Sequence, residues 1–582
     1  MQTPKSMAYL PSNPLIAQSD KTVLLEVSNP LYEEARDALA RFAELEKSPE
    51  HIHTYRITPL SLWNAAAAGL DAASIVGGLE RFGKYELPGN VRADIVDAVA
   101  RYGRVKLVQE GQHLLLVSED RPLLVEIEHH KHIAPCLIGR HLSGGLLVDP
   151  AQRGRIKQAL LQFGYPAEDL AGYVSGAPLE IALRATTLDG RSFTLRDYQQ
   201  EAVAVFHADG TSRGGSGVIV LPCGAGKTVV GLGVLARLQC HTLILTPSIV
   251  AARQWIHEIL DKTSVPAEAI GEYSGERKEV RPITVTTYQV LTYRPSRSTD
   301  FPHFALFNEH DWGLIVYDEV HLLPAPVFRI TAEIQARRRL GLTATLIRED
   351  GRQTDVFSLI GPKKQDVPWK DLERQGWIAT AMCHEVRVRL PEDQRMAYAL
   401  ADETEKYRVA AVNPAKLAVL ERLVTEHADD QVLIIGQYLD QLHRVAERFG
   451  APLLTGKTPT REREQLYAAF RRGEVRLLVV SKVANFSIDL PDASVAIQIS
   501  GTFGSRQEEA QRLGRILRPK QAGVLAHFYS LVTRETRDQE FAANRQMFLT
   551  EQGYRYEIVY AEELDGRDKQ PMRKQPLARG SG

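Results

Sequence analysis

The segment Leu221-Pro222-Cys223-Gly224-Ala225-Gly226-Lys227-Thr228 carries the residue types that cradle a phosphate chain. Gly224 and Gly226 permit a tight backbone path that aims successive N–H groups at an anion. Lys227 can reach β- and γ-phosphates, and the Thr228 hydroxyl can bind Mg²⁺. About 90 residues on, Asp318 and Glu319 follow the apolar run Gly313-Leu314-Ile315-Val316-Tyr317. Asp318 is placed to hold Mg²⁺, directly or through water, and Glu319 to orient and deprotonate an attacking water. Together these residues supply the chemistry of nucleoside triphosphate hydrolysis.

Such a loop works only between a strand and a helix. Residues 217–221 read as a buried strand, and Lys227 and Thr228 open a helix whose dipole favours an anion at its start. The general phosphate-loop pattern asks for Gly at the first position, where this chain has Leu221. From about 191 to 360 apolar strands alternate with amphipathic helices, with strands expected at 217–221, 242–246, 283–286, 313–317 and 340–343. A second alternating region spans about 415 to 535, with strands near 431–435, 452–454, 476–480, 494–499 and 524–530. Two α/β domains in tandem, the first bearing the nucleotide site, suggest a cleft that closes over the nucleotide. Between them, 376–414 is mixed and charged, a solvated helix face or a small insertion that touches DNA. Residues 1–100 read as mainly helical, with Ala-rich segments at 31–45 and 61–80. In 103–190 short strands (113–117, 122–127, 145–148) mix with a helix near 151–163.

A chain of 582 residues is too long for one core and suggests three or four domains. Net charge is −1, which neither supports nor excludes nucleic-acid binding, since a basic groove can be balanced by acidic surface elsewhere. No long uncharged apolar run proposes a membrane span, and the first residues lack a signal-peptide pattern. Cys136, Cys223, Cys240 and Cys383 have neither disulfide nor metal spacing, which fits a reducing cytoplasm. His129, His130 and His132 have no further partner at ligand spacing and read as a surface turn, so no structural metal is expected. The tail from about 563 to 582 is expected to be disordered.

In the second α/β region, Gln511-Arg512-Leu513-Gly514-Arg515-Ile516-Leu517-Arg518-Pro519 puts Arg515 and Arg518 at i, i+3 on one helix face. A cationic pair offered to a γ-phosphate is an arginine-finger arrangement.

Here the sequence resembles a known family. Both α/β domains look like the paired RecA-like motor of superfamily 2 helicases. Leu195-Arg196-Asp197-Tyr198-Gln199-Gln200 resembles the adenine-reading element, with Arg196 and Gln199 as its readers. Thr246-Pro247 with Gln254-Trp255 resembles motif Ia, Thr286-Thr287-Tyr288 motif Ib, and Thr343-Ala344-Thr345 motif III. Gly436-Gln437 is similar to motif IV, Ser481-Lys482 through Asp489-Leu490-Pro491 to motif V, and Gln511–Arg518 to motif VI. Leu221 in place of the first Gly is usual in that superfamily. The resemblance narrows to the XPB DNA helicases through Asp318-Glu319-Val320-His321, through Arg348-Glu349-Asp350, and through Arg545-Gln546-Met547-Phe548-Leu549. The N-terminal Asn13-Pro14-Leu15-Ile16 and His53-Thr54-Tyr55-Arg56-Ile57-Thr58 resemble bacterial members, so the likeness covers nearly the whole chain.

The resemblance implies ATP-dependent translocation and 3′→5′ unwinding of DNA in nucleotide excision repair, with ATP and Mg²⁺ as cofactors. It implies an N-terminal mainly helical domain (1–102), a small α+β domain like a damage-recognition domain (103–190), and RecA-like domains at 191–375 and 376–562. The second of these holds a short thumb-like insertion near 385–412. His321, Thr343 and Thr345 would couple nucleotide state to DNA grip, and Arg348, Glu349 and Asp350 would take part in strand separation. Thr246, Gln254, Thr287, Gln437 and Ser481 are DNA-contact candidates. Such contacts, mostly to phosphates, predict weak sequence preference. Forked, single-stranded or damaged duplex DNA is the expected partner, a repair nuclease a further candidate, and the bacterial cytoplasm, at the nucleoid, the expected location. A double-strand translocase that does not separate strands and an ATP-switched damage-binding clamp are the competing readings. An RNA helicase is the weaker fourth.

Overall fold

The computed structural model describes residues 9–49, 51–222, 224–296, 301–335, 337–344, 352–367, 372, 375, 381–481, 493–501, 526–551 and 554–564. They fall into two compact units, Met1–Lys47 with His51–Asp371 and Ser48–Glu50 with Leu372–Gly582.

The first unit opens with a four-stranded antiparallel sheet in the order Leu15–Ala17, Thr22–Glu26, Ile52–Arg56, Glu44–Lys47. Four helices accompany it, Tyr32–Ala40, Pro59–Ala67, Ala72–Phe82 and Gly89–Arg101. The reading of 1–100 as mainly helical therefore lacked a sheet. Its strands are three to five residues long, and the central pairing joins Thr22–Glu26 to the distant Ile52–Arg56, which leaves only a weak local signal. Val23, Leu25 and Tyr55 are buried at alternate positions and hold the sheet to the helices.

A five-stranded sheet follows, ordered Leu137–Arg140, Leu146–Val148, His113–Val117, Lys106–Glu110, Glu168–Leu170. Residues 122–127, expected as a strand, lie in the helix Arg121–His129. The Asp120 carboxylate accepts the Leu123 N–H at 3.1 Å and Pro122 sits in the first turn, both helix-starting devices. Leu123, Leu124 and Ile127 are buried together, the spacing of one helical face, which so short an apolar run does not reveal.

The helix Arg153–Phe163 ties this part to the parallel sheet that follows. Gly154 lies so close to Ala332 that an added Cβ would meet its carbonyl oxygen at 2.4 Å. Gln158 donates to Asp355 at 2.9 Å, and Trp63, Leu161 and Phe357 form one apolar cluster. Residues 177–184 run along the next domain, with Ala177, Leu179 and Arg184 N–H groups bonded to Asp311, Gln239 and Lys262 carbonyls.

That domain is a wholly parallel seven-stranded sheet, ordered Ile270–Tyr273, Ile283–Thr287, Thr242–Thr246, Leu314–Asp318, Arg338–Thr343, Ser216–Val220, Lys363–Asp366. The five expected strands occur and form its interior, mostly apolar and almost wholly buried, as strands covered on both faces are. The strands Ile270–Tyr273 and Lys363–Asp366, absent from the sequence reading, are the two edges, where polar residues break the apolar signal.

The second unit is another parallel seven-stranded sheet, ordered Leu453–Leu454, Leu477–Ser481, Val432–Gly436, Val495–Gln498, Ala526–Thr533, Ala381–Val388, Arg555–Tyr560. The charged stretch 376–414 thus contains a strand inside this sheet. Glu385 to Val388, assigned to the insertion, belong to that strand, with Glu385 buried and bonded by the Tyr556 hydroxyl and Arg387. Only the helices Glu392–Leu400 and Glu403–Ala411 remain as an inserted pair.

Candidate active site

Because the strands of the first motor sheet are parallel, the strand ends that lead to Leu221, Thr246, Thr287, Asp318 and Thr343 share one edge. Leu221 N–H donates to the Thr343 carbonyl at 2.9 Å, extending the ladder into the loop. Ala225 N–H turns back to the Pro222 carbonyl at 3.1 Å, and Gly224 and Gly226 both take φ of 82°. That conformation strains any residue with a Cβ, so the loop path requires glycine. The helix Lys227–Leu238 starts at once, with Gly226 as N-cap and no capping side chain. Its first turn is the arrangement that receives an anion on backbone N–H groups.

Across this edge, Lys227 Nζ lies 2.8 Å from Glu319 Oε1. Glu319 stands just past the strand end with φ of 51°, a left-handed turn that swings its carboxylate toward the loop. Burial works to raise its pKa, but the charge of Lys227, then His321, and the Ala344 N–H outweigh it and hold the carboxylate below its usual range. Asp318, one residue earlier, is pushed up to about 6, by burial first and by the Glu319 charge second. Trp255 Nε1 donates to Asp318 Oδ2 at 3.0 Å and fixes its rotamer. The Tyr288 hydroxyl donates to the Asp318 carbonyl at 2.8 Å. His321 Nδ1 lies 2.6 Å from Thr343 Oγ1 and 3.5 Å from Glu319 Oε2, linking the Asp-Glu turn to the neighbouring strand end.

Gln199 sits under the loop. Its Nε2 donates to the Ala225 carbonyl at 3.0 Å, and its Oε1 accepts the Arg196 N–H at 3.0 Å. The Tyr198 hydroxyl donates to the same carbonyl at 2.7 Å, and Arg196 Nη1 donates to that hydroxyl at 3.2 Å. The element expected to read adenine thus braces the phosphate loop.

Thr228, half-buried in the first helical turn, and Asp318 form a hydroxyl-plus-carboxylate set that suits Mg²⁺, which takes few protein ligands and completes its shell with phosphate and water. Thr246 Oγ1 bonds the Thr286 and Ser248 carbonyls at 3.0 and 3.1 Å, while Gln254 is exposed. Thr287 caps the helix Tyr288–Leu291 through Val290 N–H at 3.3 Å. In the second unit, Gln437 N–H donates to Ser500 Oγ at 2.8 Å, and Ser481 is buried at the end of its strand. Cys223, Thr345, Arg348, Glu349, Asp350, Gln511, Arg515 and Arg518 lie outside the described residues. Among the described residues no cluster of three or more His, Cys, Asp or Glu could hold a metal ion, and no helix is long and apolar enough to cross a membrane.

Sequence reasoning assigned no role to Trp255, Tyr288 or Tyr198. Each stands beside a chosen residue in its motif string, and only the fold shows what it touches.

A glycine-lysine phosphate loop beside a buried Asp-Glu strand end, in a chain with two seven-stranded parallel sheets, defines a superfamily 2 helicase motor. Comparisons with known proteins narrow the class. Residues 372–576 match the family model "ERCC3/RAD25/XPB C-terminal helicase", and residues 192–348 match "Type III restriction enzyme, res subunit". Residues 15–141 match "Helicase conserved C-terminal domain", although they fold as the two antiparallel-containing N-terminal parts. The chain is 57% identical over 554 residues to the DNA 3'-5' helicase XPB of Mycobacterium tuberculosis, covering 95% of this chain and 99% of that one. It is 56% identical to the DNA 3'-5' helicase XPB of Kineococcus radiotolerans, over 95% of this chain and 97% of that one. It is also 34% identical to the general transcription and DNA repair factor IIH helicase/translocase subunit XPB of Encephalitozoon cuniculi, over 94% of this chain and 83% of that one. The chain belongs to the XPB family of DNA helicases.

Proposed function

We propose that this protein is an ATP-dependent DNA helicase of 3′→5′ polarity that opens DNA in nucleotide excision repair. The observation that carries the hydrolytic part is the Lys227–Glu319 contact at the shared edge of the sheet, with Asp318 beside it. The loop N–H groups and Lys227 would hold the phosphates, Thr228 and Asp318 the metal, and Glu319 would take the proton of the attacking water. Mg²⁺, when bound, would neutralise charge on the phosphate oxygens. Family membership supports Arg515, Arg518 and Gln511 as the residues that complete the site. His321 and Thr343 would relay nucleotide state, since their bond joins the Asp-Glu turn to the strand end that also holds Leu221.

The names of the relatives include "helicase/translocase", which favours a double-strand translocase as the second reading. Strand displacement on substrates with and without a 3′ overhang separates the two. The decisive experiment is ATP hydrolysis by the wild type and Glu319→Gln with no nucleic acid, single-stranded DNA, forked DNA and RNA. DNA-stimulated turnover that the variant loses supports the motor. Turnover indifferent to nucleic acid, or stimulated by RNA alone, sinks it.

A further inference from the structure

At the start of the strand Ser216–Val220, whose other end leads to the phosphate loop, the two N-terminal parts and the first motor sheet line a half-open cavity of about 300 Å³, at the small end of the range for small-molecule sites. Its walls come from all three. Tyr102 belongs to the first part, Lys157, Leu161, Glu168 and Asp169 to the second, and Arg213, Phe357 and Lys364 to the motor sheet and its connections.

The charges around it do not balance. Asp169 is buried and bound by Arg153 at 2.7 Å and Lys157 at 2.9 Å. Glu168 has Arg213 at 3.4 Å. Lys364 donates to the Arg213 carbonyl at 2.9 Å and has no carboxylate within ion-pair distance among the described residues. Four cations thus stand around two carboxylates, Arg153 and Lys157 buried, Lys364 half-buried and Arg213 exposed at the mouth. Behind them the Tyr173 ring lies 5.3 Å from the Arg153 guanidinium and 5.4 Å from that of Arg339. Arg339 is fully buried, bonded to the Leu359, Gln335 and Arg337 carbonyls and to no carboxylate among the described residues. Buried positive charge in excess is expensive unless an anion meets it. Burial already pushes the Lys157 ammonium down to about 8 despite Asp169. Opposite the cations, Tyr102, Leu161 and Phe357 offer an apolar wall.

We propose that this cavity binds a small organic anion, its phosphate or carboxylate head among Lys157, Arg213 and Lys364 and its apolar body against Tyr102, Leu161 and Phe357. Ser216 also lines the cavity, and its strand runs from there to the phosphate loop. A ligand here would brace the N-terminal parts against the strand that carries the ATP site.

The test is thermal unfolding of the full chain with phenyl phosphate, benzoate, phenol, or sodium chloride at matched ionic strength. Both anions are expected to raise the midpoint by about 2 °C or more at saturation. The shift should persist in Lys227→Ala and vanish in Lys364→Gln. Where Lys364→Gln does not fold, Arg213→Gln at the exposed mouth takes its place. No shift, an equal shift from phenol or sodium chloride, or a shift lost in Lys227→Ala and kept in Lys364→Gln overturns the proposal.

Discussion

Lys227 Nζ and Glu319 Oε1 are 2.8 Å apart, although their strands stand two places from each other in the sheet, with Arg338–Thr343 between. A triphosphate in the loop presents a second anion to the same ammonium. Lys227 is therefore shared between substrate and base, and removing either partner should have distinct effects. Glu319→Gln should lower hydrolysis by roughly 10²–10⁴-fold while leaving ATP binding within a few fold. Steady-state turnover together with fluorescent-nucleotide binding checks this. Lys227→Ala should weaken both.

Thr343 Oγ1 and His321 Nδ1 form the contact through which the Asp-Glu turn meets the strand end beside the loop. Thr343→Val removes the hydroxyl but keeps the shape. Stimulation of ATP hydrolysis by DNA should fall about fivefold, the scale of a modest coupling energy, with basal hydrolysis changed less. Turnover titrated against DNA concentration is the measurement, and equal losses with and without DNA would count against coupling.

Gly154 packs on the Ala332 backbone with no room for a Cβ. Gly154→Ala should destabilise the first unit by about 1–3 kcal/mol by forcing the two elements apart. Urea unfolding followed by tryptophan fluorescence reads it, because Trp63 and Trp312 are buried in that unit.

In the second unit, Lys416 Nζ lies 2.7 Å from Asp538 Oδ2, both side chains almost wholly buried. Lys416→Met removes this ammonium from beside the buried carboxylate and should reduce stability by about 3–5 kcal/mol. The double variant Lys416→Met, Asp538→Leu should recover most of that loss. Calorimetry of the single and double variants checks both outcomes.

Acid should weaken both units through one buried and one half-buried histidine. Burial first, then the Arg36 charge, holds His53 down to about 4. His527 is also held to about 4, by burial and then by His384 and His427. Above the unfolded value near 6.5 both states are neutral and stability is complete. As pH falls from 6.5 toward 4 the unfolded chain binds protons that the folded chain refuses, so stability drops across that window. Denaturation at pH 7.5 and pH 5 should show the loss, and His53→Gln with His527→Gln should flatten it.

The sequence by itself determined the strands that carry chemistry and the order of the chemical residues along the chain. The runs ending at Leu221, Thr246, Thr287, Asp318 and Thr343 are short and rich in apolar and β-branched residues, a signal contained in the strand itself. Gly224, Gly226 and Lys227 were legible for the same reason, since their conformational and charge roles are local. Tertiary structure decided what those residues touch. On the helix Ile249–Lys262, Gln254 faces solvent while Trp255, about 100° further round, turns inward to Asp318. The strand Ala381–Val388 lies between Ala526–Thr533 and Arg555–Tyr560, more than 130 residues away, so its place in the sheet has no trace in its own sequence, where His384, Glu385 and Arg387 interrupt the apolar residues. The excess positive charge of the junction cavity comes from residues as distant as Lys157 and Lys364. Local pattern reports which backbone state a segment prefers, whereas a site is a coincidence of side chains that only long-range packing brings together.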